Sequence, residues 1–458
     1  MINERISKLR KMMAKRNIDA YIVPSSDPHQ SEYLADYYKT REFITGFTGS
    51  AGTAVITTKK SGLWTDGRYF IQAAKELAVG EVELYKTGLP ESISIEEFLL
   101  QEFPNRGKIA FDGNNTSVAE YENLIKKLPN FEFITDVDYV GEIWNEEGRP
   151  ASPDSKVYIF DEKYAGESTS DRLARLRAMM KDRGIDYHFI GSLDDIAYVL
   201  NIRANDVQCN PVVISYLLVS DKACNLYIDK SKLSEEVANY LKENNVSIKP
   251  YEVIGRDVSD IEARKTLYLE PRKTNVAVYS SIARGVNIVT GTNLTSLMKC
   301  HKNEIEIKNT KNAYIKDGVA LVRFLNWLET GIPTGTITEM IAAEKLLEFR
   351  KQQDLFIEDS FESISAYGAN ASMPHYKPSH ENPVKVEPRG LYLIDSGGHY
   401  LDGTTDITRT IALGELKEEE IYHYTLVLKA HIALMEATFG KDCCYKLRIR
   451  DCGGICVI

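Results

Sequence analysis

The chain has no run of apolar residues approaching the roughly 20 needed to span a bilayer as a helix, so its hydropathy gives no reason to expect a membrane protein. It has no excess of positive charge: 56 Lys and Arg stand against 66 Asp and Glu, a formal net charge of -10. That balance argues against nucleic acid or an anionic membrane as partner. None of its seven cysteines forms a C-x-x-C pair, which disfavours a zinc knuckle. Cys209, Cys224 and Cys300 are scattered and read as buried thiols, while Cys443, Cys444, Cys452 and Cys456 crowd the C-terminal end. Met1 to Asn17 is basic and amphipathic without the apolar centre of a signal peptide. It reads as a surface helix, with the cytoplasm as the default location. The glycine-rich stretch GFTGSAG (46–52) precedes a strand rather than opening a helix, and no Lys-Ser/Thr follows, so a phosphate cradle is not expected.

What the chain does have is length, an ordinary globular composition and an internal repeat. Its 458 residues exceed one ordinary core and imply two to four domains. Arg5, Leu9, Arg10, Met12, Met13, Arg16, Ile18 and Asp19 recur in one register as Arg172, Leu176, Arg177, Met179, Met180, Arg183, Ile185 and Asp186. Each copy reads as an amphipathic helix followed by a strand, Ala20–Val23 in the first and His188–Ile190 in the second. Two similarly folded domains follow from this, at 1–150 and 155–300. A linker rich in Gly, Pro and Ser lies near Asn145–Asp154. Further strands are expected at 53–58, 63–70, 212–219 and 224–228. Strands alternating with helices give α/β domains with mixed sheets.

A third region, 303–440, opens with a helical pattern from Asn303 to Glu329. The segment GIPTGTIT (331–338) ends it, and Thr338 with Glu339 starts another helix through Arg350. The pattern then turns to β until a last helix over about Lys417 to Thr438, which makes this region α+β. Within it, LYLIDSGGHYLDGTTDITRT (391–410) carries Asp395 at the end of an apolar strand and Asp406 in a β-branched one. A simple hairpin centred at Tyr400–Leu401 would set the two carboxylates directly opposite each other. Facing like charges are destabilising, and a shared divalent cation would remove the repulsion. A surface hairpin with two solvated aspartates fits the same spacing. Asp402 and His399 read as hairpin surface.

IDSG followed seven residues later by TTDITRT resembles the metal-binding hairpin of the Xaa-Pro aminopeptidases, within the creatinase, prolidase and methionine aminopeptidase superfamily. The likeness extends from about residue 5 to 439. AYIVPSSDPHQSEYLADYYKTREFITGFTGSAGTAVIT and LWTDGRYFIQAAKEL resemble the N-terminal domain of the three-domain members. LDDIAYVLNIRANDVQCNPV resembles their middle domain, and IKDGVALVRFLNWLE with SISAYGANASMPHYKP the start of their catalytic domain. The resemblance implies two creatinase-like N-terminal domains and a pita-bread catalytic domain. The implied activity is release of an N-terminal residue that precedes proline, at a dinuclear site that is usually manganese. A metal-activated water would attack the scissile carbonyl. By resemblance Asp395 is a ligand to one metal and Asp406 bridges both. His375 would contact the peptide and support the transition state, and Arg68 would help bind the peptide. A homodimer would also fit the family.

The family's further ligands, one His and two Glu, have no matching segment after Asp406. The chain keeps register to Thr438-Phe439-Gly440, then reads KDCCYKLRIRDCGGICVI, with a fragment of register surviving in Tyr445-Lys446-Leu447. That tail (441–458) suggests a truncated or frameshifted coding sequence and an incomplete pita-bread domain with two of five ligands. A chain in that state is expected to lack aminopeptidase activity. A non-catalytic peptide- or protein-binding homologue and a prolidase are the competing readings.

Overall fold

A computed structural model of the chain describes residues 1–438. The cysteines at 443, 444, 452 and 456 and the segment Tyr445–Leu447 lie outside the described residues. Among the described residues two compact units are present: residues 1–313 with 401–403, and residues 314–400 with 404–438.

The first unit contains two six-stranded sheets. In the first sheet the strands are β1 (Ala20–Pro24), β2 (Thr53–Thr57), β3 (Ser61–Thr65), β4 (Val82–Lys86), β5 (Lys108–Ala110) and β6 (Glu132–Ile134), in the order β4-β3-β2-β1-β5-β6. A short ribbon pairs β7 (Tyr158–Ile159) with β9 (Ile202–Arg203). The second sheet takes β8 (Tyr187–Ile190), β10 (Ser215–Ser220), β11 (Cys224–Ile228), β12 (Ser247–Lys249), β13 (Thr266–Leu269) and β14 (Asn287–Thr290), in the order β12-β11-β10-β8-β13-β14. Strand for strand the two orders are the same. So are the directions: β1 is antiparallel to β2 and parallel to β5, as β8 is antiparallel to β10 and parallel to β13.

The repeated residues do the same work in both copies. Leu9 and Met13 of the helix Ile2–Lys15 are fully buried, and so are Leu176 and Met180 of the helix Thr169–Asp182. Arg10 donates through Nε to the carbonyl of Thr57 at the end of β2, and Arg177 does so to Ser220 at the end of β10. The Asp19 carboxylate accepts the N–H of Lys108, the first residue of β5, at 2.8 Å. Asp186 accepts that of Thr266, the first residue of β13, also at 2.8 Å. The repeat therefore encodes helix burial, a strand-end anchor and a strand-start anchor rather than amphipathicity alone.

Several elements differ from the sequence expectation for identifiable reasons. The strand expected at 212–219 begins only at Ser215. Asp206 holds the preceding residues out of the ladder: its carboxylate takes the Ile214 N–H at 2.8 Å while its own N–H goes to the Val212 carbonyl. The linker expected from Asn145 starts later, because the helix Tyr139–Glu147 runs on until Gly148, whose φ of +91° only glycine adopts readily. Of the three cysteines expected to be buried, only Cys224 is. Cys209 is half-buried, and Cys300 is exposed at the last position of the helix Leu294–Cys300. Burial pushes the Cys224 thiol up to about 12.

The second unit takes the helix Glu304–Gly331 from Tyr314 on, the helix Glu339–Arg350 and the helix Glu418–Glu436. Its strands are β15 (Phe356–Asp359), β16 (Ile364–Tyr367), β17 (Leu391–Ser396), β18 (Gly398–Tyr400), β19 (Gly403–Thr404, of which Thr404 belongs here) and β20 (Ile407–Ala412). They form two three-stranded sheets, β16-β17-β20 and β15-β18-β19. Leu321, Phe324, Leu328, Ile337, Leu346, Tyr392 and Ile394 make its core. Strand β17 alternates in burial: Tyr392, Ile394 and Ser396 are buried, whereas Leu391, Leu393 and Asp395 lie on the half-open face. Among the described residues no helix is long and apolar enough to cross a membrane.

Candidate metal centre

Asp395 sits in the central strand of its sheet, where Cα partners are Ile364 on β16 and Thr408 on β20. The expectation that it faces Asp406 directly is corrected here. The register runs Asp395↔Thr408 and Ser396↔Ile407, and continues to Gly398, whose carbonyl accepts the Thr405 N–H at 2.9 Å. The hairpin thus turns at Leu401–Asp402, not at Tyr400–Leu401, and every partner sum moves by two.

A shift of two keeps side-chain parity. Asp406 is not in a strand as expected but immediately precedes β20; two residues from Thr408, it falls by parity on the side that carries Asp395, one diagonal step away. The two charges do feel each other. The Asp406 carboxyl is raised from its ordinary value, first by partial burial and then by the negative charge of Asp395. One Asp395 oxygen, Oδ1, accepts the Thr408 hydroxyl at 2.7 Å. Two carboxylates close together suit a hard or borderline divalent cation. Among the described residues no group of three or more His, Cys, Asp or Glu converges into a fuller set.

The opposite face of β17 is locked. The Ser396 hydroxyl accepts from Nη2 of Arg350 at 3.0 Å, and Arg350 is fully buried. Arg350 donates to both oxygens of Asp317, and Tyr400 donates its hydroxyl to Asp317 at 2.9 Å. Nearby Asp359 is pushed up to about 6, chiefly by burial, with the Arg350 charge opposing the shift. Past Ser396 the chain has no room for a side chain. A Cβ at Gly397 would lie 2.0 Å from the Thr405 carbonyl oxygen and 2.2 Å from Ser360 Oγ. Sequence reasoning missed Arg350, Asp317 and Gly397. Only the adjacent glycines of DSGG offered a signal for the last.

His375 lies in the turn that follows the short helix Gly368–Ser372, on the loop leaving β16, and is half-buried. Arg68 belongs to the first unit, in the turn before the helix Phe70–Glu76. Its side chain is half-exposed, makes a two-pronged pair with Asp66 at 2.8 Å and sits over the Tyr69 ring. Asp402 is not hairpin surface as expected. It is buried, and Oδ2 accepts the Asn312 side-chain amide at 2.6 Å. His399 is half-buried against the Thr404 hydroxyl at 2.9 Å.

Comparison with known proteins agrees with this architecture. Residues 5–141 and 148–306 each match a creatinase/prolidase N-terminal domain, and residues 308–446 match metallopeptidase family M24. The chain is 37% identical to aminopeptidase P2 of Arabidopsis thaliana over 96% of its own length and 67% of that protein's. It is also 37% identical to Xaa-Pro aminopeptidase 1 of Dictyostelium discoideum, covering 73% of that chain. The crystal structure of X-prolyl aminopeptidase from Caenorhabditis elegans, described as a cytosolic enzyme with a di-nuclear active site, superimposes with a TM-score of 0.93 at 35% identity, over 99% of this chain and 77% of that one. With two creatinase-type N-terminal domains preceding an M24 domain, and with relatives of this identity along nearly its whole length, the chain belongs to the Xaa-Pro aminopeptidase family of metallopeptidases.

Proposed function

We propose that this chain is built for release of the N-terminal residue from peptides with proline at the second position, and that Asp395 and Asp406 are its metal-binding carboxylates. The observation that carries the reading is the position of Asp406 just before β20, two residues from Thr408, the partner of Asp395, with the Asp406 carboxyl raised by burial and, second, by the charge of Asp395. A bound divalent ion, manganese in this reading, would supply Lewis acidity toward the scissile carbonyl and lower the pKa of an attacking water. The chain's own residues do the rest. Thr408 orients Asp395 through one oxygen and leaves the other for the ion. His375 would hydrogen-bond the peptide at the reacting carbonyl. Arg68, paired with Asp66 at 2.8 Å, would help bind the peptide. The domain division is read as 1–150, 155–300 and 303–440, and the location as cytoplasmic.

Two carboxylates provide fewer donors than a divalent ion ordinarily takes. Asp395 and Asp406 by themselves are therefore expected to hold manganese weakly. Calorimetric titration with manganese, on the chain and on Asp395→Asn and Asp406→Asn, tests the site. Each substitution should weaken binding at least about tenfold, on the scale of losing a metal-site partner. Equal affinity in all three proteins would remove Asp395 and Asp406 from the metal centre.

A further inference from the structure

Glu339 is the first residue of the helix Glu339–Arg350 and is 1% exposed. An acidic residue there suits the helix dipole, but its carboxylate is turned away from the helix toward the loop that carries His375. Oε1 accepts the Tyr367 N–H at 2.5 Å and the Asn370 amide at 3.1 Å. Oε2 accepts the Asn370 amide at 3.2 Å and the Tyr376 hydroxyl at 2.7 Å. Asn370 also donates to the Tyr376 hydroxyl at 3.0 Å. Among the described residues no cationic side chain pairs with Glu339. A buried carboxylate without a cation costs several kcal/mol of desolvation, which the helix N-terminus and these hydrogen bonds offset.

The donors come from both ends of one loop. Tyr367 ends β16, Asn370 lies in the short helix Gly368–Ser372, and Tyr376 directly follows His375. The Tyr376 N–H closes the turn onto the Met373 carbonyl at 3.0 Å, so the backbone at His375 is held between that turn and the tethered Tyr376 ring. The Glu339 main chain is fixed as well, donating to the Val384 carbonyl and accepting the Ser365 hydroxyl.

We infer that Glu339 is a positioning residue for His375: its buried carboxylate gathers Tyr367, Asn370 and Tyr376 and so presents the imidazole to the peptide in one orientation. This rests on the reading of His375 as a peptide contact. Pre-ordering the loop removes an entropy cost from peptide binding.

The test uses the full chain and two substitutions. Glu339→Gln keeps the volume but turns an amide N–H toward donors. Tyr376→Phe removes one donor and leaves the carboxylate. The readout is the His375 ring resonance, assigned by its loss in His375→Gln, together with amide exchange. In Glu339→Gln the ring signal should move to the position of a free, mobile imidazole, and amides 367–376 should exchange at least about tenfold faster while those of β17 keep their rates. Tyr376→Phe should show a smaller shift of the same sign. An unchanged ring signal in both variants overturns the proposal. Equally faster exchange throughout the second unit also overturns it, because Glu339 would then be a stability element only. Calorimetry with manganese and a proline-second tripeptide separates the underlying reading. If Glu339→Gln frees the ring but His375→Gln leaves peptide affinity unchanged, His375 is no peptide contact and the functional half fails while the tether stands.

Discussion

Arg350 grips Asp317 with two prongs, Nε to Oδ1 at 2.8 Å and Nη2 to Oδ2 at 3.2 Å, and both side chains are buried. The same Nη2 reaches Ser396, the residue after Asp395, so the pair anchors the strand end whose opposite face bears the proposed metal ligand. Removing one partner of a buried ion pair strands the other charge in a medium that solvates it poorly, at a cost of about 3–5 kcal/mol. Arg350→Met should therefore destabilise the second unit by that amount in denaturant titration. Arg350→Met combined with Asp317→Leu should recover part of the loss, since Asp317 is no longer stranded, while Asp359, 3.6 Å from Arg350, still loses its cation. A single substitution that costs under about 1 kcal/mol would show that the pair is not the anchor.

Gly397 gives a sharper probe of the site, because it separates packing from ligand chemistry. A methyl group there would meet the Thr405 carbonyl oxygen at 2.0 Å, and a backbone atom cannot rotate away. Either β17 or the segment leading to Asp406 must shift, and overpacking of this kind costs about 1–3 kcal/mol. Gly397→Ala is expected to lower the melting temperature and to weaken manganese binding, though it removes no donor. Unchanged metal affinity in a folded Gly397→Ala protein would mean that the Asp395–Asp406 geometry is not what binds the ion.

The sequence carried much of this architecture, and the reasons are physical. A repeat of eight residues in one register is legible because each has a fixed task. Leu9 and Leu176 fill cores, Arg10 and Arg177 hold strand ends, and Asp19 and Asp186 start parallel strands. Asp395 and Asp406 were legible as a pair, but their register was not. Both turn centres place the carboxylates on one face, and the spacing alone does not distinguish a turn at Tyr400–Leu401 from one at Leu401–Asp402. The burial of Asp402 was hidden because its partner Asn312 is 90 residues away in sequence. Glu339 read only as a helix start, since nothing local tells a solvated first-turn acid from one gathering Tyr367, Asn370 and Tyr376.

The paired aspartates of the repeat make an energetic prediction. Asp19 and Asp186 each accept the first N–H of a parallel strand, at the same distance. Alanine at either position leaves a partly buried N–H unsatisfied, which costs about 1–3 kcal/mol. Asp19→Ala and Asp186→Ala should cost similar amounts, and the double substitution should be additive within about 0.5 kcal/mol because the sites share no partner. If one is neutral while the other destabilises, the two positions share a topology but not a role.

His188 makes the stability of the second sheet depend on pH. Its ring is fully buried in β8, and Nε2 accepts the Leu294 N–H at 3.2 Å, which requires the neutral form at that nitrogen. Burial pushes the imidazole down to about 4, whereas in the unfolded chain it titrates near about 6.5. Between those values the unfolded state binds a proton that the native state does not. The contribution is therefore complete above about pH 6.5 and is lost progressively as pH falls toward about 4, a change on the order of 3 kcal/mol. His188→Gln keeps an acceptor for Leu294 but has nothing to titrate. Denaturant titrations at pH 7.5 and pH 4.5 should show the unsubstituted chain losing about 2–3 kcal/mol more than the variant. Buried Asp112 is pushed up to about 6, mainly by burial, and acts in the opposite direction, but it is common to both proteins and cancels in the difference. Parallel losses in the two proteins would show that His188 is protonated in the folded state or exposed to water at low pH.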